Sequence, residues 1–316
     1  MYAAVVNALG QPPRYEEFAD PAPGENEVLV KVHAAGLHPI VKAIAGGAHY
    51  SERGQVPMIA GIDGVGTRPD GSRVYFGGAR RPWGTMAELC AAPVSMCLPL
   101  PDGIDDMQAA AIANPGMSAW LSLKVRAGVQ AGETVLVLGA TGVAGQLALQ
   151  AARLLGAKRI IAAGRNVDAI AKEDVDRIVA LGDPEDKVRE AFTEEAANGI
   201  NVVIDYLWGR PTELLLEALA RGFKPSATRS TRLVEVGESA GKTITLPGST
   251  LRSIDLRLMG SGFGSASMGA ILTAIPALFE MAANGTLRVD VEPVPLAQVE
   301  TAWTRVEKGR RIVFTI

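Results

Sequence analysis

The run from residue 135 to 150 constrains this chain more than any other segment. It reads Val-Leu-Val-Leu-Gly-Ala-Thr-Gly-Val-Ala-Gly-Gln-Leu-Ala-Leu-Gln, which predicts a buried strand, a glycine-rich turn and a helix close to the strand. Gly139 and Gly142 allow the backbone to turn sharply and approach a pyrophosphate, and Gly145 lets the helix lie near the sheet. The glycine spacing alone is weak evidence. An apolar strand before it, an apolar helix after it and a further strand supply the context that a dinucleotide-binding turn requires.

The residues after the next predicted strand, 159–163, indicate which dinucleotide binds. An NAD site usually has an acidic residue about 20 residues past the last glycine, whereas an arginine there accommodates a 2′-phosphate. Arg165 stands at that position, so the sequence predicts NADPH. Asp168, Glu173 and Asp174 would oppose a 2′-phosphate if they faced it. The alternative for Arg165 is a solvated residue that begins a turn.

Length and composition favour a two-domain enzyme. A chain of 316 residues exceeds the usual size of a single core. The 31 Lys and Arg residues against 34 Asp and Glu residues, with no basic run, argue against nucleic acid or an anionic membrane as a partner. The N-terminus lacks the pattern of a signal peptide, and no apolar stretch is long enough to span a bilayer, so we expect a cytoplasmic protein. Cys90 and Cys97 form no disulfide framework and are expected to be small apolar residues of the interior.

The pattern along the chain predicts two kinds of architecture. The first third has short strand-like runs, at 27–33, 73–76 and 85–90, and indicates a β-rich lobe. Two alanine-rich helices, 106–113 and 117–124, then flank the sequence Asn114-Pro115-Gly116. Further predicted strands alternate with helices and make a doubly wound parallel sheet, at 135–138, 159–163, 176–181, 201–205, 231–236 and 255–260.

The C-terminal segment is expected to return to the first lobe. A long helix at 267–283 precedes a strand at 289–294, a helix that starts near Leu296 and a strand at 311–316. We therefore predict a discontinuous catalytic domain, 1–114 with 265–316, into which a Rossmann dinucleotide-binding domain, 115–264, is inserted.

Several short motifs in this order and spacing resemble the medium-chain dehydrogenase/reductase superfamily, in particular its zinc-independent, quinone oxidoreductase-like branch. Besides the glycine turn, the motifs are at 35–39, 61–66, 84–88, 98–103, 109–112 and 308–313. The resemblance covers nearly the whole chain and implies that the β-rich catalytic domain is GroES-like.

The resemblance also bears on metal content. A catalytic zinc of this superfamily would need a cysteine soon after the first motif, a histidine before an acidic residue in the second, and a later ligand. These positions hold His38 and Ile62-Asp63, and no cysteine follows Cys97, so we expect no metal. Without a Lewis acid, hydride addition to a conjugated acceptor is easier than alcohol oxidation. The resemblance thus implies NADPH-dependent reduction of a quinone, an enone or a 2-alkenal.

By the same resemblance, the candidate catalytic residues are Tyr50 and His38. Tyr50 matches a tyrosine near the substrate, and His38 stands where relatives often have asparagine; His38 could be a proton donor, a substrate contact or a turn residue. The resemblance and the strand-end positions place a further group at the cofactor: Thr141, Gly142, Val143, Ala144, Gly164, Arg165, Asn166, Leu207, Trp208, Val236, Gly237, Gly262, Phe263, Gly264, Asn114 and Ser118.

Two other functions stay open at this stage. One is an alcohol or aldehyde dehydrogenase of the same superfamily, and the other is a redox sensor that binds NADPH without turnover. Relatives commonly pair an edge strand of the nucleotide domain, here 255–260, with that of a second copy, so we expect a homodimer.

Overall fold

A computed structural model describes residues 1–48, 55–170, 173–221, 230–262, 264–306 and 309–316. In chain order its strands are β1 (Tyr2–Val6), β2 (Arg14–Glu17), β3 (Glu27–Gly36), β4 (Met58–Ile59), β5 (Asp63–Thr67), β6 (Arg73–Gly77), β7 (Leu89–Pro93), β8 (Cys97–Pro99), β9 (Thr134–Leu138), β10 (Arg159–Gly164), β11 (Arg177–Ala180), β12 (Val202–Asp205), β13 (Ser230–Glu235), β14 (Asp255–Gly260), β15 (Asp290–Pro295) and β16 (Arg310–Thr315).

The α-helices are, in the same order, α1 (Pro39–Ala45), α2 (Asp106–Trp120), α3 (Val143–Leu154), α4 (Val167–Ile170), α5 (Glu185–Asn198), α6 (Gly209–Arg221), α7 (Gly248–Ser253), α8 (Met268–Ala283) and α9 (Val299–Trp303). A π-helical segment, Leu121–Ala127, continues α2. No helix in the part of the chain that the structure describes has the length and apolarity needed to cross a bilayer.

The contacts divide the chain into two compact units. One comprises Met1–Pro115 with Ile275–Ile316, and the other is Gly116–Ala274. The chain passes between them once within α2 and once within α8.

The first unit is β-rich, as the short strand-like runs predict. Its larger sheet has the order β15-β16-β3-β5-β6-β8, with β7 also paired to β3, and a smaller sheet has the order β2-β1-β4. All these pairs are antiparallel except β15 with β16. The C-terminal strand β16 pairs with β3, which brings the end of the chain back to the first lobe.

The second unit is the predicted doubly wound domain. Its six strands are all parallel, in the order β11-β10-β9-β12-β13-β14. Strands covered by helices on both faces read as unbroken apolar runs, and in β9 the segment from Val135 to Leu138 is fully buried. Leu136, Ile161 and Val203 of adjacent strands pack with Phe192 of α5 and Leu215 of α6 in one core. The predicted fold class is confirmed.

Two local predictions were wrong. The sequence predicted a break between two helices at Asn114-Pro115-Gly116, but α2 runs through Pro115 to Trp120. A proline within a helix removes one backbone hydrogen bond, and here the burial of the neighbouring apolar turns, including Ala113 and Ala119, outweighs that loss.

The strand predicted at 85–90 begins only at Leu89. Met86 is fully buried and its backbone bonds to Ala60 and Ala4, while Ala87 makes a single bridge to Ala3. The alternation that suggested a strand therefore reflects the burial of side chains in a segment without regular secondary structure.

The structure predicts opposite effects for one substitution at two glycines, each in the first turn of a helix. A Cβ at Gly145 of α3 would lie 2.2 Å from the backbone oxygen of Gly139, whereas one at Gly269 of α8 would have nothing within 4 Å. We expect Gly145→Ala to lower the free energy of unfolding by about 1–3 kcal/mol. Gly269→Ala should leave it unchanged or raise it by up to about 1 kcal/mol, because alanine is the better helix former. Urea unfolding measures both; equal midpoints would contradict the close contact.

Candidate functional site

The glycine turn joins β9 to α3 at the carboxyl edge of the parallel sheet. Gly139 has a φ of +86°, a left-handed conformation that favours glycine. The N–H groups of Gly139 and Ala140 both donate to the carbonyl of Ala163 on β10, at 2.9 and 3.0 Å. These two hydrogen bonds fix the turn after β9 against the end of β10, the neighbouring strand of the parallel sheet.

Helix α3 presents an uncapped N-terminus at this turn. Its N-cap is Gly142, which has no side chain to satisfy the first N–H groups, and a Cβ there would meet only the Gly139 oxygen, at 3.7 Å. Thr141, Val143 and Ala144 lie on either side of this N-cap. Free N–H groups, the helix dipole and open space together form a suitable site for an anion such as a pyrophosphate. The residues present therefore fit a dinucleotide.

Arg165 begins the loop after β10. It is exposed and, within the described ranges, makes no hydrogen bond or ion pair; Asn166 beside it is also exposed. Gly164 is required by packing, because a Cβ there would lie 2.5 Å from Cγ2 of Thr141. Thr141, which follows β9, and Gly164, at the end of β10, are therefore neighbours, as expected for residues that bind one anionic cofactor.

The acidic residues after Arg165 fall into two groups. Asp174 pairs with Arg153 at 2.9 Å, and Asp176 pairs with the same arginine at 3.0 Å and accepts the Ile160 N–H. Although burial by itself raises it, the pKa of Asp176 is lowered, because the Ile160 N–H and Arg153 stabilise the carboxylate. Asp168 stays exposed in α4. Arg153 thus compensates Asp174, one of the acidic residues that could oppose a 2′-phosphate, as well as Asp176.

A buried carboxylate organises the loop that follows β12. Asp205 is fully buried; its Oδ1 accepts the N–H groups of Leu207 and Trp208, both at 2.9 Å, and its Oδ2 accepts the Thr212 hydroxyl at 2.6 Å. Burial raises the pKa of Asp205, while these three donors act in the opposite direction. A Cβ at Gly139 would lie 3.2 Å from the Leu207 side chain, so this loop packs directly on the glycine turn.

The loops after β13 and β14 complete the same edge of the sheet. The N–H groups of Val236 and Gly237 donate to the backbone oxygen of Asp205, and Gly262 donates to the Ser265 hydroxyl at 2.7 Å. Gly264 follows with open space around its Cα, and Phe263 lies outside the described residues. Parallel strands bring these sequence-distant positions together because their carboxyl ends meet at one edge.

Two predicted cofactor residues lie one helical turn apart in α2. Asn114, half-buried, falls in the first unit, and Ser118 falls in the second. Ser118 lies beside the hydroxyl of Tyr206, the residue after β12. Burial raises the pKa of that tyrosine, with Ser118 acting the other way, so the hydroxyl stays protonated. The sequence analysis had assigned no part to Asp205, Thr212 or Tyr206.

The first unit has its own buried polar group, formed by His38, Asp63 and Tyr75. Nε2 of His38 lies 3.3 Å from Oδ1 of Asp63, and the Tyr75 hydroxyl donates to Oδ2 at 2.9 Å. His38 has no exposed surface, and Asp63 and Tyr75 are 5% and 6% exposed. Burial, followed by the Asp63 charge, raises the pKa of Tyr75 well above its ordinary value. Tyr50, the other predicted catalytic residue, lies outside the described residues.

A second cluster in this unit surrounds His33. Its Nδ1 lies 2.8 Å from Asp106 at the start of α2, its Nε2 lies 3.1 Å from the Thr67 hydroxyl, and Arg73 also pairs with Asp106. These contacts tie the start of α2 to β3, β5 and β6. Among the residues that the structure describes, no group of three or more His, Cys, Asp or Glu side chains could hold a metal ion.

Cys90 and Cys97 are free thiols in the described chain. Cys90 is buried and Cys97 half-buried. Burial raises the pKa of the Cys90 thiol to about 12, so this side chain is uncharged and acts as a small apolar residue in the cluster with Val30 and Phe76.

Comparison with known proteins gives consistent matches. No family model matches the chain. A probable NADPH-dependent quinone reductase of Emericella nidulans is 28% identical, with 99% of each chain aligned. Human quinone oxidoreductase is 32% identical over 65% of this chain and 61% of its own length. The quinone oxidoreductase of Thermus thermophilus, whose structure was also solved in complex with NADPH, superposes with a TM-score of 0.80 and 29% identity over the full length of both chains.

The full-length alignment, the full-length superposition, the six-stranded parallel sheet and the glycine turn agree with one another. The chain belongs to the quinone oxidoreductase branch of the medium-chain dehydrogenase/reductase superfamily.

Proposed function

We propose that this protein is an NADPH-dependent oxidoreductase that transfers a hydride to a quinone or a related conjugated carbonyl, an enone or a 2-alkenal. The observation that carries the proposal is the uncapped N-terminus of α3 at Gly142, next to the exposed Arg165, on the carboxyl edge of the parallel sheet. The names of the Emericella and human relatives support a quinone as acceptor, and the Emericella name supports NADPH.

We assign the cofactor to the unit Gly116–Ala274 and the acceptor to the unit that contains both chain termini. The predicted domains were 115–264 for the cofactor and 1–114 with 265–316 for the acceptor. When bound, the reduced nicotinamide supplies the hydride. The backbone N–H groups from Thr141 to Ala144 bind the pyrophosphate. Arg165, with Gly164 and Asn166, holds the 2′-phosphate.

The other cofactor contacts follow from the remaining strand ends. Leu207 contacts the adenosine, and the loops that contain Val236 and Gly262 approach the nicotinamide. Also assigned to this end of the cofactor are Gly237, Phe263, Gly264, Asn114 and Ser118. Their support is the position of most of them after the carboxyl ends of β12, β13 and β14.

Tyr50 remains the proposed catalytic residue, whereas His38, the other predicted one, is assigned a positioning role. The Tyr50 phenol donates a proton to the acceptor oxygen on which charge develops. His38 is buried against Asp63, so we assign it the support of that carboxylate rather than direct proton transfer. Asp63 also accepts a hydrogen bond from Tyr75, so we assign these three side chains to the buried interior of the unit. We also propose a reaction without a metal.

Titration and turnover test the function directly. The purified protein is titrated with NADPH and NADH by nicotinamide fluorescence, and the loaded protein then receives a quinone or an alkenal. We expect tighter NADPH binding and oxidation that depends on the acceptor. Binding without oxidation by any acceptor would favour the sensor alternative. Stoichiometric zinc in metal analysis, with oxidation of an alcohol, would favour the dehydrogenase alternative.

Arg165→Ala tests the preference for the phosphorylated cofactor. A charge-assisted hydrogen bond contributes about 1.5–3 kcal/mol, so NADPH affinity should fall about tenfold or more, with little change for NADH. Arg210→Ala is the matched control, because Arg210 is already paired with Glu185, Glu213 and Glu217. Calorimetric titration of both variants with both cofactors gives the answer; equal weakening of NADPH and NADH would remove the assigned role of Arg165.

Tyr50→Phe tests the proton donor. Loss of a general acid lowers turnover by about 100-fold, while NADPH affinity and thermal stability should be unchanged. Tyr75→Phe is the contrasting variant: it removes the bond to the buried Asp63 and should lower the free energy of unfolding by about 1–3 kcal/mol. Unchanged hydride transfer in Tyr50→Phe, measured in a single turnover, would show that the phenol is dispensable.

We further propose a cytoplasmic homodimer formed through β14. The support is that β14 is at the edge of the sheet, with Leu258 39% exposed, and that Cys90 and Cys97 are free thiols. Light scattering should give twice the chain mass of 33.1 kDa, and Leu258→Lys should shift it toward the monomer. A monomeric wild-type protein at micromolar concentration would contradict this assembly.

A further inference from the structure

The side chain of Arg126 bridges the β14–α8 loop, residues 261–267. Its Nε donates to the carbonyl of Gly260, the last residue of β14, at 2.9 Å, and its Nη1 donates to the carbonyl of Ser265 at 3.4 Å. The side chain is half-buried, and among the described residues it forms an ion pair with no carboxylate. The hydrogen bonds of this guanidinium therefore hold the chain on both sides of the segment 261–264.

The β14–α8 loop has few other contacts that fix its conformation. A Cβ at Gly260 or Gly264 would have nothing within 4 Å, and glycine has more backbone freedom than any other residue. The Ser261 N–H bonds to β13 at 2.8 Å, which fixes the start of the loop. The Gly262 N–H donates to the Ser265 hydroxyl at 2.7 Å, which closes a turn within the loop. The arginine adds a bond from outside the loop to its second half.

The segment that contains Arg126 is itself fixed to the parallel sheet. Arg126 belongs to the π-helical segment that continues α2, and π-helical turns are frequently found at functional sites. Arg232 of β13 donates to the carbonyl of Ala127 at 2.6 Å and to that of Gly128 at 3.1 Å. The backbone that carries Arg126 is thereby bonded to β13, and its guanidinium reaches the β14–α8 loop from a fixed position.

The β14–α8 loop lies at the end of the sheet to which the nicotinamide is assigned. In the order β11-β10-β9-β12-β13-β14, Arg165 follows β10 and the uncapped N-terminus of α3 follows β9. A dinucleotide with its 2′-phosphate at Arg165 and its pyrophosphate at α3 extends its other end toward β12, β13 and β14. Ser118, assigned to the same end of the cofactor, is about two helical turns before Arg126.

We propose that Arg126 is a positioning residue for hydride transfer, because it holds the β14–α8 loop in place at the nicotinamide end of the cofactor. The inference rests on the proposed function, since it assumes that a nicotinamide dinucleotide binds along this edge of the sheet. Arg126 acts through the loop. A planar guanidinium presents several N–H donors in a fixed arrangement and so bridges two carbonyls, whereas the ammonium of a lysine is a compact point charge.

Three variants test this role. Arg126→Ala removes both hydrogen bonds, Arg126→Lys keeps the charge without the planar donors, and Ser265→Ala removes the acceptor of the Gly262 N–H within the same loop. Lys124→Ala is the matched control, because it removes one positive charge from the same π-helical segment, where Lys124 lies over the Trp120 ring.

Each full-length variant is titrated calorimetrically with NADPH and with adenosine 2′,5′-bisphosphate, and its thermal midpoint is measured. The rate of hydride transfer from bound NADPH to a quinone is measured in a single turnover. For Arg126→Ala and Ser265→Ala the single turnover is repeated with guanidinium chloride at millimolar, non-denaturing concentration.

We expect Arg126→Ala to slow hydride transfer about tenfold to a hundredfold, as for a displacement of the reacting groups by about 1 Å. Arg126→Lys should show a similar loss, Ser265→Ala a smaller one and Lys124→Ala none. Affinity for adenosine 2′,5′-bisphosphate should not change in any variant, because the adenosine end is assigned to the opposite side of β9. Guanidinium should restore part of the rate in Arg126→Ala and none in Ser265→Ala.

Hydride transfer at the wild-type rate in Arg126→Ala overturns the inference alone. A lower thermal midpoint with equally weakened bisphosphate binding and no rescue by guanidinium would show a merely structural role and also overturns it. If Arg126→Ala does not fold, wild-type rates in both Arg126→Lys and Ser265→Ala overturn the inference. A wild-type protein that binds no NADPH, or that transfers no hydride to any acceptor, overturns the proposed function together with this inference.

Discussion

The close contact between α3 and the turn after β9 determines the geometry of the unit Gly116–Ala274. At Gly145 the helix approaches so near to the Gly139 carbonyl that a single methyl group would not fit. Because the N-cap of α3 is Gly142, this contact also sets where the uncapped N–H groups of the helix point, which is toward the carboxyl edge of the sheet. The loop after β12 packs on Gly139, so its position depends on the same turn.

A buried aspartate has a comparable organising part in each unit. An ionised carboxylate in the interior is unfavourable unless its oxygens have partners. Asp205 satisfies this requirement with two backbone N–H groups and the Thr212 hydroxyl, and so shapes the loop that contains Trp208. Asp63 faces His38 and accepts the Tyr75 hydroxyl. In both cases the need to give buried carboxyl oxygens hydrogen-bond partners fixes groups that lie next to proposed functional residues.

The sequence predicted the parallel sheet well because strands buried on both faces appear as uninterrupted apolar runs, as in β9 and β12. The predictions were wrong where the pattern of buried residues does not correspond to the secondary structure that the backbone adopts. Pro115 is within α2, since packing of the surrounding turns outweighs one lost hydrogen bond. Met86 and Ala87 show strand-like alternation but belong to an irregular buried segment. Local patterns report which residues are buried more reliably than they report the backbone that buries them.

The sequence by itself determined the glycine turn, the exposed arginine after β10 and the parallel sheet, because these depend on residues close together in the chain. The tertiary structure alone decided that Tyr75 meets Asp63, that Arg153 compensates Asp174 and Asp176, and that Asp205 holds Trp208 in a left-handed conformation. Such contacts join separate elements or depend on the burial of one charge. No local spacing encodes them, since they form only when packing brings the partners together and removes water from between them.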